Sequence, residues 1–247
     1  MKINPLYKNK AFGTVLMLFG ILGMSLIVYR LCVYRFEYDP EYSPVDYGKY
    51  NIISYFTVQS NFFGYIYLIL NALAVFGVKK LQKTAFSPLF GALATTYILI
   101  AGIVYCAGIP MGFTPPFKWD NAYHFMQSFI QVYYHMIMPV FIVVIWFFPS
   151  SNEKIPAKKA WLFGIYPLIY SVFSIMRGAV GKMHYYPYPF YEPSFFWNMI
   201  FPGREISFIP AYLLMAPMLC LGIGLFIATG LLIIFIHNKR IKAYEKA

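Results

Sequence analysis

The chain has 247 residues, of which 60% are hydrophobic and 21% aromatic against 12% charged, and its mean hydropathy is +0.59. Those values exclude an ordinary soluble domain. The formal net charge of +11 is spread over membrane-flanking segments with no RNA- or DNA-binding motif, so no nucleic-acid partner is expected.

A bilayer core of about 30 Å needs about 20 apolar residues per helix. The sequence predicts six such spans: Ala11 to Val33, Ile53 to Gly77, Phe86 to Ile109, Tyr123 to Phe148, Trp161 to Val180 and Phe208 to Ile236. Their apolar runs are continuous and do not alternate, which excludes a β-barrel. The expected fold is all-α, a polytopic integral membrane bundle of six transmembrane helices forming one transmembrane domain over residues 1–247.

The first span follows the basic segment Met1 to Lys10. Its apolar run is too long for a signal-peptide core and no small-residue cleavage site closes it, so it is read as a retained span. Arg30, near its end, is expected to snorkel. The loop after it holds the acidic residues Glu37, Asp39, Glu41 and Asp46.

Span 2 carries Thr57, Ser60, Asn61 and Gly64 at i, i+3, i+4 and i+7, with Asn71 two turns further along the same face. A stiff, apolar rim, Phe113-Thr114-Pro115-Pro116-Phe117, and Asp120 precede span 4. Within span 4, His124, Gln127, Gln131 and His135 line one helical face. An ionisable ring inside a membrane span is costly unless it faces protein or a wet cavity, which makes His135 a candidate site residue. Span 5 carries Tyr170, Ser174 and Arg177 near one face.

The aromatic loop Tyr185 to Tyr191, stiffened by alternating prolines, is read as an interfacial anchor, or as a lid lined by His184. Of the three cysteines, Cys32 and Cys106 fall near helix ends and Cys220 is expected to be buried mid-span. No structural disulfide is predicted.

Lys2, Lys8, Lys10, Lys79, Lys80, Lys83, Lys154, Lys158, Lys159, Lys239, Arg240, Lys242 and Lys246 all fall in segments on one side of six spans. By the positive-inside rule both termini are cytoplasmic, in the plasma membrane if the source is bacterial, and the basic segments meet anionic lipid headgroups. The three polar stripes then share the outer half of the bundle, around a cavity opening outward, while the inner half is expected to be poor in polar residues.

Such stripes are also what ordinary interhelical packing uses, at about 0.6 kcal/mol per hydrogen bond. A catalytic reading needs a hydroxyl beside a base, which Thr57 or Ser60 with His135 supplies in residue type. Asn61, Gln127 or Gln131 are candidates to polarise a developing oxyanion. His124 and Arg177 complete the candidate substrate-binding set, Arg177 toward a substrate carboxylate. Asp120, His124, His135 and His184 lie on one side, but they form no compact metal motif and three helical turns separate the two span-4 histidines. No metal or other cofactor is expected. A non-enzymatic transporter or lipid-binding protein is the alternative, although the internal repeat usual in transporters is not evident.

The run Tyr55-Phe56-Thr57-Val58-Gln59-Ser60-Asn61, the run Tyr134-His135-Met136-Ile137-Met138-Pro139, and the pairs Tyr166-Pro167 and Arg177-Gly178, in that order, resemble the six-span androgen-induced membrane-protein family. Tyr186-Pro187-Tyr188-Pro189-Phe190 resembles its bacterial branch. The resemblance covers roughly Tyr55 to Tyr191. It implies a threonine hydrolase acting inside the membrane on fatty-acyl esters, in animals on fatty-acid esters of hydroxy fatty acids. The nucleophile falls on Thr57 and the base on His135. The bacterial-type Gln59-Ser60-Asn61 implies a branch whose substrate need not be the animal lipid, and Ser60 offers a second hydroxyl.

One geometric difficulty accompanies that pairing. His135 lies about 12 residues into span 4, or about 18 Å at roughly 1.5 Å per residue, whereas Thr57 lies about one turn into span 2. Tilt, a later start to the hydrocarbon in span 4, or a kink at Pro139 would be required to bring them within about 3 Å.

Overall fold

The computed structural model describes residues 3–33, 48–112, 114, 117–181 and 184–244. Glu37, Asp39, Glu41 and Asp46 of the first loop, Phe113, Pro115 and Pro116 of the expected rim, and Lys2, Arg35, Lys182 and Lys246 lie outside the described residues.

Among the described residues, six helices are long and apolar enough to cross a membrane. The elements in chain order are α1 (Lys10–Cys32), α2 (Phe56–Val75), α3 (Lys79–Ala85), α4 (Pro88–Gly108), α5 (Ala122–Val132), α6 (Met138–Phe147), α7 (Leu162–Val180), α8 (Pro193–Ile200) and α9 (Phe208–Tyr244). A π-helical turn, Tyr133–Ile137, joins α5 to α6, so that the fourth span is one helix with an interruption. The short helices α3 and α8 were not expected. They are too short to show an apolar stripe of membrane length, which is the signal that locates spans. Helix α9 runs past the expected Ile236, because the Lys239-Arg240 segment ends the apolar run but not the helix.

Local sequence accounts for several helix starts. Asn9 caps α1 by accepting from the Ala11 amide at 2.8 Å, and Asn121 caps α5 by accepting from the His124 amide at 2.8 Å. Ser87 caps α4, with Pro88 in the first turn, where its missing N–H is harmless.

Burial is distributed as in a protein solvated by lipid. Leu18, Ile21 and Val28 of α1, Ile169 and Val172 of α7, and Leu221, Leu225 and Phe235 of α9 all turn outward. Ser60, Asn61, Asn71, Thr95, Thr96 and Ser174 are buried. Apolar faces outward and polar groups inward, on six helices of membrane-spanning length, make this a multi-pass membrane protein.

The chain divides into two compact units, residues 1–157 with 232–247, and residues 158–231. In the first, α2 packs against α1 and α4, and α4 against α6. The α1–α2 contact is close because glycines face it: a Cβ on Gly23 would lie 2.2 Å from the Tyr65 ring, which occupies that space. One end of this unit is tied by polar contacts. Asn4 donates to the Ser150 carbonyl at 3.0 Å, Ser150 and Ser151 hydroxyls donate to the Phe86 carbonyl, and Asn238 bonds both the N–H and the C=O of Ile155. His237 Nε2 donates to the Glu153 carbonyl at 2.9 Å. Polar residues thus gather at this end, in the loops and beyond the expected end of the sixth span. Their hydroxyls and amides serve loop backbone, which has no periodicity to reveal them.

In the second unit, the segment after α7 folds back on that helix. Tyr191 and Ser171 hydroxyls meet at 3.0 Å, the Tyr170 ring contacts those of Tyr188 and Tyr191, and Tyr186 fills the space left by Gly178. Cys220 of α9 is exposed and not buried as expected. A thiol is apolar enough to face lipid as readily as protein. Cys32, Cys106 and Cys220 are all free.

Candidate functional site

In the first unit, the chain brings Thr57 and His135 together. The Thr57 hydroxyl lies 3.3 Å from His135 Nε2, and the two residues are 8% and 7% exposed. His135 Nδ1 is 2.9 Å from the Gln131 carbonyl. A carbonyl can only accept, so Nδ1 carries the proton, and in the neutral ring Nε2 presents its lone pair to the Thr57 hydroxyl. The hydroxyl donates and the imidazole accepts, which is the orientation a general base requires.

The depth difficulty is resolved by a stagger between helices. Thr57 is the second residue of α2, while His135 lies 13 residues beyond the first residue of α5. The three turns of α5 therefore extend past the point where α2 begins, and the loop before α5 runs back along them, with the Ser128 hydroxyl donating to the Lys118 carbonyl at 2.7 Å. The π turn then re-aims the helix. Its wider winding displaces the side chains Tyr133 to Ile137 from the register that α5 alone would give, and such turns recur at functional sites.

Pro139 accounts for part of this break. It lacks the N–H that would bond to the His135 carbonyl four residues earlier. The Cys106 thiol donates to that carbonyl instead, at 3.9 Å, and Gly102 leaves room for the close approach: a Cβ there would lie 2.8 Å from the His135 oxygen. Gly102, Tyr105 and Cys106, at i, i+3 and i+4, form the face of α4 against the π turn. The Tyr105 ring stacks on the His135 imidazole, centroids 3.6 Å apart and planes 12° from parallel. The sequence reading missed Tyr105, since a tyrosine near the end of a span reads first as an interfacial anchor.

Asn61 braces the other side. Its Nδ2 donates to the Thr57 carbonyl at 2.9 Å and to the Tyr134 carbonyl at 3.3 Å, and its Oδ1 accepts from the Tyr65 hydroxyl at 3.2 Å. The bond to the Tyr134 carbonyl ties α2 to the π turn, and the other two lie within α2. Ser60 is fully buried, and its hydroxyl donates to the Thr57 carbonyl at 3.1 Å, within its own helix. Of the two hydroxyls on this face, the threonine's is the one hydrogen-bonded to the histidine.

The outer members of the span-4 stripe are less enclosed. His124, Gln127 and Gln131 are half-buried. His124 Nδ1 donates to Asp120 Oδ1 at 2.6 Å, and this bond holds the Asp120 carboxyl below the usual carboxylate range. The Gln127 amide nitrogen is buried without a hydrogen-bond partner among the described residues. Arg177 belongs to the second unit, where its guanidinium lies 4.6 Å from the centre of the Tyr185 ring. Also in that unit, Ser174 is fully buried and Tyr170 is 3% exposed. His184 Nδ1 donates to the Gly178 carbonyl at 3.1 Å. Among the described residues, no three of His, Cys, Asp or Glu come together in a way that would hold a metal ion.

The chain finds no match among models of protein families, curated proteins or solved structures.

Proposed function

We propose that this multi-pass membrane protein is a hydrolase of lipid esters, with Thr57 as nucleophile and His135 as general base. The observation that carries the reading is the hydrogen bond from the Thr57 hydroxyl to His135 Nε2, with Nδ1 fixed on the Gln131 carbonyl. Thr57 lies in the first turn of α2. Negative charge developing beside it is favoured by the helix dipole. The resemblance of the runs around Thr57 and His135 to the androgen-induced membrane-protein family supports the same two residues and a fatty-acyl ester substrate. With the basic segments taken as cytoplasmic, the pair lies toward the outer face of the membrane.

In this reading, the Thr57 oxygen attacks the acyl carbon while its proton passes to His135 Nε2. The carbonyl electron pair moves to oxygen, the tetrahedral intermediate expels the alkoxide, and the imidazolium returns the proton to it. Water, deprotonated by the same nitrogen, then attacks the acyl-threonine; the second tetrahedral intermediate expels the Thr57 oxygen, which takes the proton back from the imidazolium, and the fatty acid is released.

The test is turnover of a panel of fatty-acyl and fluorogenic esters by purified protein in lipid nanodiscs, at matched folding. Thr57→Ala and His135→Ala are expected to lose about 10²-fold or more, while Ser60→Ala keeps activity. No turnover by the wild type, or full turnover by Thr57→Ala, refutes the proposal.

A further inference from the structure

Three tyrosines of this region, Tyr65, Tyr105 and Tyr133, differ in what their hydroxyls do. Tyr133 donates to the Phe19 carbonyl at 2.9 Å, and Tyr65 donates to Asn61 at 3.2 Å. The Tyr105 hydroxyl is buried and has no hydrogen-bond partner among the described residues. Its ring lies flat on the imidazole, centroids 3.6 Å apart, which places the phenol beside His135.

A phenylalanine would stack equally well and bury no polar group. Leaving a hydroxyl buried and unpaired is unfavourable, and in a membrane no bulk water is at hand to relieve it. The group is most simply understood as a donor whose acceptor arrives with the substrate. We infer that Tyr105 is a further catalytic residue of the reaction proposed above, its hydroxyl donating to the ester carbonyl oxygen as that oxygen becomes an oxyanion. The inference rests on that reading of Thr57 and His135. The stacked ring also fixes the imidazole plane, so that Nε2 stays directed at Thr57 while the hydroxyl meets the oxygen across the same acyl carbon. Asn61 does not fill this role, because both its ends are engaged by the Thr57 and Tyr134 carbonyls and by Tyr65.

The experiment compares wild type, Tyr105→Phe and Tyr105→Leu in nanodiscs. Three quantities are measured: ester turnover, binding of a long-chain alkyl trifluoromethyl ketone that adds a hydroxyl nucleophile to form an oxyanion, and binding of the secondary alcohol of the same length, which does not. Tyr105→Phe is expected to lower kcat about 10²-fold with KM unchanged and to weaken the ketone by a similar factor. Alcohol binding should be unaltered and ligand-free stability equal or higher. Tyr105→Leu, which also loses the stack, is expected to lose more in kcat than Tyr105→Phe. Wild-type turnover and ketone affinity in Tyr105→Phe overturn the assignment. So does a kcat loss that tracks a loss of stability. A wild type that neither turns over esters nor binds the ketone overturns the nucleophile reading itself, and this assignment falls with it.

Discussion

Asn61→Ala is the sharpest probe of how the pair is held. The amide is fully buried and makes three hydrogen bonds, to the Thr57 carbonyl, the Tyr134 carbonyl and the Tyr65 hydroxyl. At about 0.6 kcal/mol for each bond in a membrane interior, the bonds account for about 2 kcal/mol. Stranding the Tyr65 hydroxyl adds about 1 kcal/mol or more, so the expected cost is about 2 to 4 kcal/mol. Tyr65→Phe alone removes one bond and should cost about 0.6 kcal/mol. In the Tyr65→Phe background, Asn61→Ala should cost about 1.6 kcal/mol less than in wild type, since neither the Tyr65 bond nor a hydroxyl to strand is left. The assay is reversible unfolding in mixed micelles, titrating a denaturing detergent and following helix content. A cost below about 0.5 kcal/mol refutes the claim that Asn61 braces α2 against the π turn, and a cost identical in both backgrounds refutes the Asn61–Tyr65 bond.

Three further outcomes follow from the same geometry. Gly102→Ala places a Cβ 2.8 Å from the His135 carbonyl and 2.6 Å from Pro139 Cγ, so it should push the π turn away from α4 at a cost of about 1 to 3 kcal/mol, read by the same unfolding assay; wild-type stability would show that α4 does not press on this turn. Pro139→Ala restores the N–H that the His135 carbonyl lacks and should let the π turn relax toward α-helix, retaining stability while ester turnover falls at least about tenfold as His135 swings from Thr57; unchanged turnover would show that Pro139 does not set the register. Asp120, with its carboxyl lowered by the His124 bond, should titrate below an ordinary aspartate by carboxyl-carbon NMR, and His124→Gln should raise it. Because the folded-state value is the depressed one, the associated stability is present above the unfolded carboxylate pKa and disappears as pH falls through the folded one. Identical titrations in both proteins would remove the pair.

The spans were legible because lipid imposes one demand on every helix, about 20 apolar residues, and the chain meets it six times. The inward faces of α2 were legible for the complementary reason: Thr57, Ser60, Asn61 and Gly64 repeat with the helical period, and all four are buried. What lay beyond reach was the relation between helices. Counting residues from span ends put Thr57 and His135 far apart, because the count assumes that spans start level and wind regularly. Here α5 begins three turns before the contact, and a π turn follows it. No local pattern announces that turn; Pro139 signals an interruption of the helix but not its form. Tyr105 and the contacts made by His237 and Asn238 were missed because each depends on what stands opposite, and a single sequence does not show that.

The break at Tyr133–Ile137 is itself the strongest argument that the contact is more than packing. In a bilayer, every backbone carbonyl freed from its helical partner must find another. Here the Tyr134 carbonyl accepts from Asn61 of α2 and the His135 carbonyl from Cys106 of α4. Two neighbouring helices thus supply donors for one irregular turn, and α4 gives up a side chain at Gly102 to approach it. A regular helix with apolar residues at these positions would pack α2, α4 and the fourth span with none of these provisions. Packing alone does not call for the irregular turn, and in the function proposed above the turn serves to aim His135 at Thr57. The inference runs from the observed irregularity to its use, and it makes the aim of His135 at Thr57 the property these substitutions should change first.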